Sequence, residues 1–235
     1  MHIFFEENLE GDVVSLSQEE SRHCVKVLRL QAGQEVGFAN GKGTLATATL
    51  LDVNSKQTTA AIVKREFQPP RSFRLHMAVA PTKSIDRFEW FLEKAVECGI
   101  EEVTPIICSQ SERRVIKPER LQKIMLAAMK QSRRHYLPLL NEAVKYNDFI
   151  KGMNKNTATF IAHCNAGAKI SLRNAYVPGG DALILIGPEG DFSAEEVAQA
   201  ERREAKAISL GESRLRTETA ALVACMEVNF LNGEL

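Results

Sequence analysis

From Phe73 onward the chain alternates short apolar runs with helical stripes, and that alternation limits its folds more than any other feature. Leu75 to Ala80 reads as a strand. Ser84 to Gly99 reads as a helix, with Ile85, Phe88, Phe91, Leu92, Ala95 and Val96 on one stripe and Gly99 as its stop. Val103 to Cys108 is the next strand, and Pro118 opens a second helix with Leu121, Ile124, Met125 and Ala128 on one side. Thr157 to Ala162 and Ala182 to Ile186 are nearly continuous apolar runs, the pattern of strands covered on both faces of a parallel sheet. A short strand near Ala207 to Leu210 precedes a closing helix from Thr219 to Leu231. This order predicts an α/β domain with a parallel sheet.

The N-terminal part obeys a different grammar. Apart from a helical stretch near Gln18 to Leu28, its apolar and β-branched runs are short: Ile3 to Phe5, Glu35 to Ala39, Thr44 to Val53 and Thr58 to Phe67. Asn40-Gly41-Lys42-Gly43 between two of them tolerates the positive φ of a tight hairpin. A small β-barrel or sandwich fits this pattern. Phe67-Gln68-Pro69-Pro70-Arg71-Ser72 then breaks both grammars, as an extended linker does. The expected organisation is a small β domain over residues 1–69 and an α/β domain over residues 73–235.

The chain has 235 residues, with 30 Lys plus Arg against 30 Asp plus Glu. No run approaches the length of a membrane span and the start lacks a secretory signal, so a cytoplasmic protein without a membrane partner is expected. The cysteines Cys24, Cys98, Cys108, Cys164 and Cys225 contain no C-x-x-C pair, which predicts neither a disulfide framework nor a metal site. Neutrality alone argues against a nucleic-acid partner. The charge, however, is unevenly spread. Arg113, Arg114, Lys117, Arg120, Lys123, Lys130, Arg133 and Arg134 face the single acid Glu119 within one segment, and such a block suits a phosphate backbone.

Ligands of parallel α/β sheets sit beyond the carboxyl ends of the strands, and two glycine-bearing loops are expected there. The first is Ile186-Gly187-Pro188-Glu189-Gly190-Asp191-Phe192-Ser193. Ser193 and Glu196 form a capping box for the following helix, with Phe192 and Val197 as a hydrophobic staple. The loop lacks the Lys of a Walker motif, and no G-x-G-x-x-G fingerprint occurs in the chain. Glu189 and Asp191 would repel a phosphate, so a neutral or cationic cofactor is expected. The second loop, Leu210-Gly211-Glu212-Ser213-Arg214-Leu215-Arg216-Thr217-Glu218-Thr219, alternates charged with hydroxyl-bearing residues before the last helix.

Gly187 to Ser193 and Leu210 to Ala220 resemble the two C-terminal signatures of the RsmE family, bacterial methyltransferases acting on N3 of a uridine in 16S ribosomal RNA. Lys94-Ala95-Val96-Glu97-Cys98-Gly99-Ile100, Ser111-Glu112-Arg113 and Gln131-Ser132-Arg133-Arg134 extend the likeness, and His23 to Arg29 with Gly33 is similar to the family's opening motif. The resemblance implies a SPOUT-type C-terminal domain with a parallel sheet and a trefoil knot, preceded by a small PUA-like β-barrel. It also implies a homodimer, S-adenosyl-L-methionine as cofactor, and 16S ribosomal RNA or the small ribosomal subunit as partner.

Carried over residue by residue, it assigns the cofactor to Ile186, Gly187, Pro188, Glu189, Gly190, Leu210, Gly211, Leu215, Arg216, Thr217, Thr219 and Ala220. RNA contacts are expected from Arg22, Lys26, Arg29, Arg114, Gln131, Arg133 and Arg134. Glu218 is the expected general base, with Arg216 or Arg113 stabilising charge on the uracil carbonyls. A non-catalytic RNA-binding protein and a SPOUT methyltransferase for another RNA position are the alternatives. The chain departs from the family's usual residues at Asp191 and Arg133, where glycine is usual, and at Lys130, where glutamate is.

Overall fold

The computed structural model describes residues 1–235, which divide into two units. The first contains Met1–Pro70 and Leu126–Leu137, the second Arg71–Met125 and Pro138–Leu235.

In the first unit, β1 (Ile3–Phe5), β2 (Val13–Ser15), helix α1 (Gln18–Lys26), β3 (Glu35–Ala39), β4 (Thr44–Asp52) and β5 (Thr59–Phe67) follow in order. The strands form a five-stranded sheet in the order β1-β3-β4-β5-β2. The turn after β3 pairs it antiparallel with β4, and the Asn40 side chain accepts hydrogen bonds from the Lys42 and Thr44 amides to hold that turn. Along β4, Ala46, Ala48 and Leu50 alternate inward and meet Phe4, Val14, Val36, Phe38 and Ala60 in one apolar core. Ser17 caps α1 through a bond from the Glu20 amide, and Cys24 seals the helix onto the same core. The short strand β2 has no counterpart among the expected strands, because three residues are too few to display a period.

The second unit runs β6 (Leu75–Val79), α2 (Ile85–Cys98), β7 (Glu102–Ile107), α3 (Pro118–Ser132), β8 (Leu139–Leu140), β9 (Val144–Lys145), α4 (Tyr146–Gly152) and β10 (Ala158–Ala162). It continues through β11 (Ile170–Ser171), α5 (Leu172–Ala175), β12 (Ala182–Ile186), α6 (Ala194–Glu201), β13 (Lys206–Ser209) and α7 (Thr217–Leu231). The sheet order is β11-β13-β10-β12-β6-β7-β8, with β9 also on β7, and every pairing is parallel. All five residues of β12 are buried, as a central strand covered on both faces requires. Gly99 ends α2 at φ 109°, a conformation that disfavours a side chain, and its carbonyl accepts from the buried Asn229 of α7.

Helix α3 begins in the second unit and ends in the first. Arg133 follows its last residue at φ 56°, and the Arg134 amide donates to the Met129 carbonyl, 3.1 Å. That is the left-handed helix stop that glycine usually occupies, which accounts for the glycine usual in the family. Lys130, the departure within this helix, pairs at 2.7 Å with Glu20 of α1. No helix of the protein is long and apolar enough to cross a membrane.

Candidate active site

Strand register sets the position of the site. Val79 pairs with Ile186, Ile186 with Ala162, and Ala162 with Ile208, so β6, β12, β10 and β13 end on one row. Their following loops therefore open side by side. Those after β10, β12 and β13 enclose a cleft of about 660 Å³, with Arg87 of α2 and Thr217 and Ala220 of α7 completing its wall. Ligand sites fall in the range of about 300–1,000 Å³.

Ten of the twelve residues expected around a cofactor line this cleft: Ile186, Gly187, Pro188, Glu189, Leu210, Gly211, Leu215, Arg216, Thr217 and Ala220. Gly190 and Thr219 do not. A Cβ on Gly190 would fall 2.6 Å from Gln110 Oε1, so this glycine serves loop packing. Thr219 lies between the cleft-lining Thr217 and Ala220 in the first turn of α7, but outside the lining. The structure adds His163, Cys164 and Lys169 from the loop after β10, and Arg87 from α2. No glycine pattern or cap marks the β10 loop in sequence, and Arg87 reads there as an ordinary polar residue beside an apolar stripe.

The loop after β12 is tied on several sides. Glu189 Oε1 accepts from the Lys83 amide at 2.9 Å, and Asp191 Oδ2 accepts from the Cys164 amide at 2.7 Å. Asp191 stands at φ 67°, where glycine is usual in the family, and its other oxygen accepts from the Phe192 amide. Aspartate tolerates this left-handed conformation better than most side chains. The expected capping box is present: Glu196 accepts from the Ser193 amide and Ser193 from the Glu196 amide. Glu196 is also a bridge, accepting from both the amide and the hydroxyl of Ser109 in the loop after β7. Phe192 and Val197 share the buried core beneath the loop. Burial, reinforced by Lys169, holds the His163 imidazole below its usual pKa, against the opposite pull of Asp191 and Glu201.

The three expected catalytic residues occupy different settings. Arg216 is exposed and lines the cleft. Arg113 is outside the lining, and its guanidinium donates to the carbonyls of Thr82 and Lys83, bracing the loop between β6 and α2. Glu218 is also outside the lining. It is buried in the first turn of α7 with Oε1 3.9 Å from Arg87 Nε, while Oε2 has no hydrogen-bond partner. Neither Arg113 nor Glu218 faces the cleft directly, because one is consumed by backbone acceptors and the other by burial.

The basic segment is partly committed within the fold. Arg120 pairs with Glu89 and Asp86, Lys130 with Glu20, and Arg114 donates to the Ser109 carbonyl. Arg22, Lys26, Arg29, Gln131 and Arg133 are exposed in the first unit, with Arg134 there partly buried, and Arg114 is exposed in the second. No group of three or more His, Cys, Asp or Glu side chains is arranged to hold a metal ion.

The profile of the RNA methyltransferase domain family matches residues 69–229, and that of the RNA methyltransferase PUA domain matches residues 16–63. The chain belongs to the RNA methyltransferase family. A ribosomal RNA small subunit methyltransferase E from Rickettsia conorii is 29% identical over 95% of this chain and 92% of its own. The crystal structure of a probable rRNA-methyltransferase from Porphyromonas gingivalis is 38% identical, covers 99% of both chains and superposes with a TM-score of 0.91. A ribosomal RNA small subunit methyltransferase E from Neisseria gonorrhoeae, solved bound to S-adenosyl methionine, is 26% identical over 98% of both chains with a TM-score of 0.88. These relatives bear out the RsmE resemblance carried by Gly187 to Ser193 and Leu210 to Ala220, and with it the SPOUT-type α/β fold and the PUA-like first domain.

Proposed function

We propose that this RNA methyltransferase takes S-adenosylmethionine as donor and methylates N3 of a uridine in the 16S RNA of the small ribosomal subunit. It does so as a cytoplasmic homodimer whose C-terminal domain, residues 73–235, carries a trefoil knot and whose N-terminal domain, residues 1–69, grips RNA. The observation that carries this reading is the cleft formed by the loops after β10, β12 and β13, in a family with a relative solved bound to that donor.

The residues fit the donor in size and charge. Ala162, Ile186, Ile208, Leu210 and Leu215 offer apolar wall to an adenine, and Glu189, Asp191 and Glu212 put carboxylates beside a cation. When bound, the donor supplies an electrophilic methyl group on a positively charged sulfur. The chain must do the rest: bind the uridine, orient its N3 and favour loss of the N3 proton. The uracil imide is mostly protonated at neutral pH, so positive charge near its carbonyls assists the reaction. Arg216 supplies part of that charge from the cleft wall. Arg22, Lys26, Arg29, Arg114, Gln131, Arg133 and Arg134 hold the RNA, by phosphate pairing and, for the arginines, by stacking on splayed bases.

Mass mapping of modified nucleosides in 16S RNA from cells with and without the gene tests the assignment. Loss of N3-methyluridine alone is the expected result. An unchanged RNA, together with no calorimetric binding of S-adenosylmethionine, would leave a non-catalytic RNA-binding protein, and loss of a different modification would move the reaction to another position.

A further inference from the structure

Neither Arg113 nor Glu218 presents its charge to the cleft, yet a third side chain connects one of them to it. Arg87, in the first turn of α2, lines the cleft with 42% of its side chain exposed. Its Nε is 3.9 Å from Glu218 Oε1, and the Glu218 side chain is only 10% exposed. The second carboxylate oxygen of Glu218 is buried without a partner. A desolvated carboxylate in that condition is costly unless a cation compensates it, so Glu218 draws the guanidinium toward itself. The guanidinium is planar and permanently charged, and attachment through its Nε edge leaves two Nη groups as donors.

We propose that Arg87, held from behind by Glu218, donates hydrogen bonds to the uracil carbonyl that gathers negative charge as N3 loses its proton. Arg87 is then the catalytic residue and Glu218 its positioning residue. This rests on the uridine N3 reading above. The N3–H bond breaks, its proton passes to a water molecule or buffer base, and its electron pair spreads over the imide toward O2 and O4. That pair forms the new N–CH3 bond as the S–CH3 bond breaks, with the sulfur leaving as a neutral thioether. The guanidinium stabilises the anion between these events and neither gains nor loses a proton, because it is permanently charged.

The test is single-turnover methylation of small-subunit RNA by the full-length protein, with calorimetric S-adenosylmethionine affinity and melting temperature measured in parallel. Arg87→Met should lower the rate about 100-fold, the scale of losing one donor to a developing oxyanion, with cofactor affinity within about twofold. Arg87→Lys keeps the charge but not the planar fork, and should recover only part of the rate. Glu218→Gln should lower the rate about tenfold, and adding it to Arg87→Met should change nothing further, because both act through one contact.

The discriminating substrate is RNA carrying 5-fluorouridine at the target, whose N3–H is more acidic. The Arg87→Met deficit should shrink at least about tenfold on it, an effect that a merely structural role would not produce. An unchanged rate for Arg87→Met, or an equal deficit on both RNAs, overturns the role of Arg87. A cofactor affinity that falls in step with the rate overturns it too, by placing Arg87 on the donor. Additive losses in the double variant overturn the positioning role of Glu218. Wild-type protein that methylates neither RNA sinks the uridine reading itself, and this assignment with it. Should Arg87→Met melt early, Arg87→Lys and Glu218→Gln on the two RNAs decide the matter.

Discussion

The two loops that face each other across the cleft are built by opposite means. The loop after β12 is cross-linked: Glu189 holds the Lys83 amide, Asp191 holds the Cys164 amide, and Glu196 joins the cap of α6 to Ser109. The loop after β13 bonds mainly to itself, through Ser209 and Gly211, and leaves Gly211, Glu212, Ser213, Arg214 and Arg216 exposed. One wall is preformed, so little ordering entropy is spent there when a ligand arrives. The other has few such ties, so more of its ordering is left to the ligand. The difference predicts that substitutions in the first loop register as stability, and those in the second as function.

Glu196→Ala is the strongest challenge to that division. It removes a buried carboxylate that accepts three hydrogen bonds, from Ser109 N, Ser109 Oγ and Ser193 N, and it destroys the capping box. A cost of about 3 kcal/mol is expected, from the three lost hydrogen bonds and the lost cap together. Chemical denaturation measures it, and a change below about 1 kcal/mol would show that the loop is not held by this bridge.

Asp191 sharpens the same point. Asp191→Ala loses the bonds to the Cys164 and Phe192 amides and keeps a side chain at φ 67°, so about 2 kcal/mol should be lost. Asp191→Gly loses the same bonds but relieves the backbone, so it should cost about 1 kcal/mol less than alanine. Equal destabilisation by the two would mean that the carboxylate alone, and not the left-handed turn, determines the residue here.

Much of this architecture is legible in sequence because burial on two faces leaves a plain signature. The all-buried Ala182–Ile186 and the stripe of α2 follow directly from apolar periodicity, and Ser193 with Glu196 marks the start of α6 to the residue. Short elements are not legible: β8, β9 and β11 have two residues each, too few for any pattern to repeat. The attachment of Leu126–Leu137 to the first unit is invisible as well, since a helix carries one continuous stripe whichever core it serves. At the site, the glycine loops announce themselves, whereas Arg87 becomes a cleft residue only because β6, the strand before α2, pairs with β12. Local pattern locates Glu218 in the chain but cannot reveal that it stands behind the wall, because burial at a helix N-terminus depends on the helix packed against it.

The smallest stability effect is expected in the open loop. Arg214 and Arg216 are exposed and line the cleft, and neither side chain caps α7. Arg214→Gln with Arg216→Gln should therefore shift unfolding free energy by no more than about 0.5 kcal/mol, as surface changes do. Function should respond differently. Removing two cations from the wall of the cleft proposed above to receive the uridine should weaken RNA binding and flatten its dependence on salt by one to two phosphate contacts, a decrease of about 0.7 in slope for each on a single strand. A doubly substituted protein that melts early but binds RNA normally would reverse the comparison, making the second loop the structural wall of the cleft. Normal melting with a reduced salt slope would establish that the division of labour between the loops runs along their hydrogen bonding.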